Sequence, residues 1–112
     1  MADRIVIRCT AEETGGEAVV VEVVLAAGGA TRSFGRGAGQ ERRFEVISGE
    51  VAFELSGTTR IAGAGERLTL AAGVEHRFWN AGAEEAQFVC EARPALDFER
   101  QAERSFNRGR ST

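Results

Sequence analysis

His76 is the only histidine in the chain, and therefore the only side chain whose ordinary pKa lies close to neutrality. A lone imidazole can take up and return a proton, so its position marks where general acid–base chemistry is available. It sits in the stretch 65–80, which also holds the only tryptophan, Trp79. Gly65 and Gly73 punctuate two short runs there, Arg67-Leu68-Thr69-Leu70 and His76-Arg77-Phe78-Trp79, that alternate between apolar and polar residues. This pattern predicts strand, tight turn, strand, with Asn80-Ala81-Gly82 as the next turn. Alternation puts His76 and Phe78 on one face and Trp79 on the other, where exterior packing or a dimer contact would use it.

The elements that must position His76 follow in chain order. Residues 4–9 read as a short strand and 10–16 as a polar, glycine-ended connection. Residues 17–25 are dense in β-branched side chains and form the clearest strand. A small-residue turn spans 26–31, and 33–39 is rich in glycine. Residues 42–47 form the next strand, Gly49 turns it, and 51–55 return antiparallel. Ser56-Gly57-Thr58 signals a hairpin leading to 59–62. After 67–70 and 76–79, residues 86–93 form the last strand, which Pro94 ends. Eight short strands with glycine turns and no intervening helix predict an all-β sandwich or barrel. In 96–106, Phe98, Ala102 and Phe106 recur at helical spacing, predicting a short amphipathic helix outside the sheet. Residues 107–112, with Arg108 and Arg110, read as a frayed tail. There is no internal repeat or linker.

The 65–80 spacing resembles the second motif of the cupin family: Gly, five residues, Pro, one residue, Gly, two residues, His, three residues, Asn. Gly65, Gly73, His76 and Asn80 fall in step, and Ala71 stands where the family has proline. The family's first motif runs Gly, five residues, His-x-His, three or four residues, Glu, six residues, Gly. Counting back from Gly49, Arg42 takes the glutamate position and Gly29 the leading glycine. The histidine positions are Gly35 and Gly37, or Arg36 and Ala38 with the shorter spacing. The resemblance covers residues 17–94. It implies one cupin domain over 1–112: a cupin-type β-barrel (double-stranded β-helix, or jelly roll) at about 4–94, then a short C-terminal helix and tail at 95–112.

The family's metal set of three histidines and a glutamate is thereby reduced to His76. A divalent transition metal needs three or four ligands, and Arg42 in place of the anionic ligand would repel it. If Arg42, Phe44 and Val46 face inward, Glu41 and Glu45 face out. The expectation is no metal and no cofactor. What remains inside reads as a metal-free pocket. Arg42 would bind a carboxylate, enolate or polarised carbonyl, and His76 would shuttle a proton. Phe44, Phe78 and Phe53 would hold an apolar or aromatic skeleton, with Gly35 and Gly37 opening the barrel mouth. A nearby arginine disfavours imidazolium and would stabilise an oxyanion in a poorly hydrated barrel.

Plainer readings stand beside these. His76 is equally a barrel histidine bonded to backbone or water, and Arg42 equally a partner of Glu54 or Glu91. The phenylalanines fill a small barrel in any case, and the two glycines make a flexible loop. Two function classes follow. One is a cofactor-free cyclase, isomerase or dehydratase acting on a polyketide-like or other oxygenated carbon skeleton in specialised metabolism; small stand-alone cupins include cyclases and isomerases. The other is a non-catalytic small-ligand-binding or accessory cupin, favoured by the lack of a second clear acid or base inside the barrel. A metal-dependent dioxygenase is what the family name alone suggests, and the ligand loss argues against it.

Composition narrows the partners. A chain of 112 residues supports one domain with a modest core, and 43% hydrophobic with 28% charged residues is ordinary for a soluble protein. A net charge of -3 gives no electrostatic case for nucleic acid or an anionic membrane. All 14 basic residues are arginine, a bias of coding composition. No apolar run approaches the ~20 residues of a membrane helix, and Met1-Ala2-Asp3-Arg4 does not lead into a signal-like segment. A cytoplasmic location is expected, so Cys9 and Cys90 read as small hydrophobes and not as a disulfide. The resemblance implies a homodimer and a small-molecule ligand.

Overall fold

The computed structural model describes residues 3–107. Its strands are β1 (Arg4–Cys9), β2 (Val19–Leu25), β3 (Glu41–Ser48), β4 (Glu50–Leu55), β5 (Thr58–Gly63), β6 (Arg67–Leu70), β7 (His76–Asn80) and β8 (Ala86–Arg93), and helix α1 (Phe98–Asn107) follows. One antiparallel sheet has the order β1-β2-β8-β3-β6 and the other β5-β4-β7. From β3 onward the chain passes repeatedly from sheet to sheet, which makes the all-β barrel expected from the strand pattern and the jelly roll that the resemblance implies. No helix among the described residues is long and apolar enough to cross a membrane.

Period-two alternation places the core. Val19, Val21, Val23 and Leu25 of β2 face inward, as do Ala86, Phe88, Cys90 and Ala92 of β8. On β3 the inward residues are Arg42, Phe44 and Val46, while Glu41 and Glu45 lie on the other face and pair with Arg43 and Arg67. Phe44 stands opposite Leu68 of β6 and Cys90 of β8, and Phe53 of β4 opposite Phe78 of β7. The rings of Phe44, Phe53, Phe78 and Phe88 meet at tilted or edge-on angles, the arrangement their quadrupoles prefer.

Several sequence expectations change on folding. The strand expected from residue 17 begins at Val19, because the Thr14 hydroxyl donates to the Ala18 carbonyl at 2.6 Å and accepts from its N–H at 3.0 Å. The helix expected from residue 96 begins at Phe98, since Leu96 has φ +46° and is not helical. Nor is α1 an outer layer. Phe98, Ala102 and Phe106 join the barrel's own hydrophobic cluster and close its end. Asn107 closes the helix, and the tail expected at 108–112 lies outside the described residues. Cys9 and Cys90 are both free. Cys9 pairs with Val20 and Val20 with Glu91, so β2 lies between the cysteine strands.

Gly49 is the single residue between β3 and β4, at φ +74°, and a Cβ there would lie 2.7 Å from the Glu85 carbonyl oxygen and 2.8 Å from Ala86 Cα. Gly65 has φ +87° but open space around it. Gly65→Ala is therefore expected to lose only the left-handed strain, about 1–3 kcal/mol, and Gly49→Ala that plus the displacement of packed backbone. Urea denaturation of both variants checks this; equal losses would mean that the backbone contact at Gly49 is immaterial.

Candidate functional site

His76 opens β7 opposite Leu55 of β4 and is 2% exposed. Its Nε2 accepts a long hydrogen bond, 3.4 Å, from the Phe34 backbone N–H, which leaves the proton of the neutral ring on Nδ1. Nδ1 has no protein hydrogen-bond partner among the described residues. The ring lies 6.2 Å from Phe78 and nearly parallel to it, with Phe44 at 5.8 Å and Phe34 at 6.3 Å. Burial, and then the Arg42 guanidinium, push its pKa down to about 4, opposed by a backbone contribution from Val74. The imidazole is neutral at pH 7.

Arg42 is also 2% exposed, and every nitrogen of its guanidinium is used. Nε donates to Gln40 Oε1 at 2.9 Å, Nη1 to the Gly35 carbonyl at 2.7 Å and Nη2 to Gln101 Oε1 at 3.0 Å. The Phe98 ring lies under the guanidinium carbon, 4.9 Å from its centroid. Gln40 is itself fixed, its amide donating to the carbonyls of Pro94 and Ala95 at 2.8 and 3.0 Å. Burial lowers the Arg42 pKa. The pairing considered from sequence, with Glu54 or Glu91, does not form: Glu54 pairs with Arg77, and Glu91 with Arg93 at 3.0 Å. Both glutamates lie on the outer face of their strands, where alternation keeps them from an inward arginine.

Gly37 does not open the barrel mouth, whereas Gly35 is exposed and a Cβ there would meet nothing within 4 Å. A Cβ on Gly37 would stand 2.9 Å from the Arg42 guanidinium carbon, so the space freed there is occupied by the arginine. Phe34, next to Gly35 in the chain, is buried, 1% exposed. Its placement begins at Arg32, which exchanges backbone hydrogen bonds of 2.9 and 2.8 Å with Phe78 and so extends the β7 edge. Two residues on, Phe34 turns inward, 5.0 Å from Phe78 and 5.1 Å from Phe98. Arg32 also ties both chain ends to this loop. Its Nε donates to Asp3 at 2.8 Å, its Nη1 to the Ser105 carbonyl at 2.6 Å, and it lies 4.4 Å over the Phe106 ring.

His76, Arg42, Phe44, Phe78, Gly35 and Gly37 thus converge at one end of the barrel. Phe53 contacts Phe44 and Phe78 but makes no ring contact with His76. Phe34, Gln40, Phe98 and Gln101 complete the site and were not foreseen as site residues. Phe34 carried a signal, as the one bulky apolar residue in a glycine-rich stretch; the glutamines carried none. Among the described residues no three histidine, cysteine, aspartate or glutamate side chains cluster as metal ligands. One imidazole flanked by phenylalanines and a guanidinium does not fit the divalent metal that the family's full motif would hold.

The buried ring also sets a pH dependence. The unfolded imidazole protonates near pH 6.5 and the folded one only near 4, so the unfolded chain binds the extra proton between these values. Stability is therefore undiminished above about pH 6.5 and falls as pH drops toward 4, by about 3 kcal/mol in all. His76→Gln is expected to lack that component when urea unfolding is followed at both pH values. Parallel pH curves for wild type and variant would show that the ring is not held neutral.

The chain matches the family model described as Cupin domain over residues 21–90, a span that contains the frames of both motifs. No curated protein sequence matches it. Among similar solved structures is the Cupin_2 domain of an XRE family transcriptional regulator from Enterobacter cloacae, 20% identical with a TM-score of 0.72, covering 83% of this chain and 97% of that one. Ectoine synthase from P. lautus is 16% identical with a TM-score of 0.74, over 94% of this chain and 73% of that one. A Cupin 2 conserved barrel domain protein from Salinispora arenicola is 19% identical with a TM-score of 0.71, over 91% of this chain and 84% of that one. These likenesses concern the fold. With the family match spanning both motif frames and the two-sheet barrel closed around His76, the chain belongs to the cupin family.

Proposed function

We propose that this cupin acts on a small oxygenated carbon skeleton without a metal, as a cyclase, isomerase or dehydratase that moves a proton at His76. The observation that carries the reading is the ring itself, buried and neutral, with Nδ1 lacking a protein partner and Nε2 held by one long bond. An unsatisfied buried polar group costs about 1–3 kcal/mol. A ligand oxygen remote from the reacting carbonyl, accepting from Nδ1–H, would recover that energy.

Access requires the 31–37 loop to lift Phe34 from the ring, and this movement prepares the chemistry. It frees the Nε2 lone pair from the Phe34 N–H, and it carries the Gly35 carbonyl away from Arg42 Nη1. Loss of the Phe34 contact and the arrival of polar ligand atoms raise the imidazole pKa from about 4 back toward its ordinary value, where it is an effective base. Nε2 then takes the proton from a carbon next to the ligand carbonyl. The electron pair moves onto the carbonyl oxygen, and the freed Arg42 Nη1 stabilises the enolate. Return of the proton from the imidazolium at another atom is isomerisation, and its transfer to a departing β-hydroxyl, which leaves as water, is dehydration. Attack of the enolate carbon on a second carbonyl is cyclisation.

A non-catalytic small-ligand-binding or accessory role is the second reading. It is favoured by Arg42, each of whose guanidinium nitrogens already donates to a neutral acceptor, and by the seal that Phe34 makes over His76. Incubation in D2O with hydroxylated and keto compounds separates the two. Wild type is expected to place solvent deuterium in its substrate, read by mass spectrometry, and His76→Gln to do so more slowly by a factor of about 100 or more. Undiminished exchange in the variant removes His76 as the base. A compound that raises the melting temperature without any exchange supports the binding role.

A further inference from the structure

Outside the Phe34 seal lies a groove of about 580 Å³, between residues 30–35 and the exposed side of α1. Its lining includes the side chains of Arg32, Arg77, Arg104, Gln101 and Ser33, and Phe34 contributes to its wall. No carboxylate lines it, although the chain as a whole is acidic, with a net charge of -3. The three arginines are not equivalent. Arg32 is committed to Asp3, to the Ser105 carbonyl and to the Phe106 ring. Arg77 pairs with Glu54 on the neighbouring strand, yet its side chain remains 59% exposed. Arg104 has no ion-pair or hydrogen-bond partner among the described residues.

From this arrangement we infer that the groove is a binding site for a small organic anion, a carboxylate or phosphate ester. Arg104 supplies the uncompensated charge, and Arg77, whose Nε and Nη2 donate to Glu54, adds its remaining Nη1. Arg42 was the arginine that sequence spacing assigned to an anion, but each of its guanidinium nitrogens already donates inside the barrel. The exposed pair outside takes that role. Gln101 connects the two levels, since it lines the groove and accepts from Arg42 Nη2 through Oε1. An anion in the groove therefore sits one side chain away from the contact that holds α1 over the barrel mouth. The site stands apart from proton transfer at His76 and does not require it.

The test uses benzoate, phenyl phosphate and neutral benzamide as probes, titrated at millimolar concentration into the full chain and followed by backbone amide shifts. One or both anions are expected to move the amides of residues 31–35 and 101–105, and benzamide to leave them in place. Which anion binds more tightly distinguishes a carboxylate from a phosphate site. The Arg77→Gln/Arg104→Gln double variant is expected to weaken the anion at least about tenfold, as for loss of charge-assisted hydrogen bonds. His76→Gln is expected to bind it like wild type, so failure of the groove and failure of the His76 chemistry are read separately. The inference is overturned if neither anion moves those amides, if benzamide moves them equally, or if the double variant, with its fold verified by circular dichroism, binds as wild type does.

Discussion

A buried guanidinium with no carboxylate partner among the described residues holds one end of this barrel together. Taking a charge out of water is costly unless its donors are satisfied, and Arg42 has only neutral acceptors to satisfy it. They come from three parts of the chain: Gln40 at the head of β3, the Gly35 carbonyl in the long loop, and Gln101 on α1. Removing any one would strand a donor of a charged group, so loop, strand and helix are fixed together. Gln40 carries the constraint on to Pro94 and Ala95, where the last strand hands over to the helix. The glycine at 37 belongs to the same constraint, because a side chain there would occupy the guanidinium's place.

The same cation shapes the chemistry next to it. Where the cupin second motif contributes a histidine toward a metal, this chain retains the histidine and surrounds it with aromatic rings and a positive charge. Desolvation and Arg42 both penalise imidazolium, so the ring is kept neutral by two effects of like sign. A divalent ion would meet the same penalty as the extra proton, together with a shortage of donors. What survives from the family frame is a buried, neutral imidazole among aromatic rings.

Closure of the barrel follows from a division of labour between two arginines. Arg42 fastens the helix from inside, and Arg32 from outside, through Asp3, Ser105 and the Phe106 ring. Between them Phe34 contacts Phe78 on the barrel side and Phe98 on the helix side, making one core of what would otherwise be a barrel and an appendage. Opening the site means moving a segment secured at both flanks by charge-assisted hydrogen bonds, which are stronger than neutral ones. That combination suits a site sealed at rest and opened by a ligand able to compete for those donors.

The sequence by itself determined what depends on neighbours along the chain. Strand positions, glycine turns, and the inward face of Arg42, Phe44, His76 and Phe78 all follow from period-two alternation, which a local stretch contains in full. Motif spacing likewise exposed the missing metal ligands. Tertiary structure alone decided what fills the space those ligands left. The glycines at 35 and 37 looked like an opening because a missing side chain reads as a void, whereas a close-packed interior brings distant groups into any such space. At Gly37 the group is the Arg42 guanidinium, which Phe98 and Gln101 contact from a helix more than fifty residues away. The partners of Arg42 were equally out of reach, because its acceptors include a backbone carbonyl and a glutamine on α1. Such contacts leave no periodic trace, since nothing in the pattern of one segment encodes which face of another it will meet.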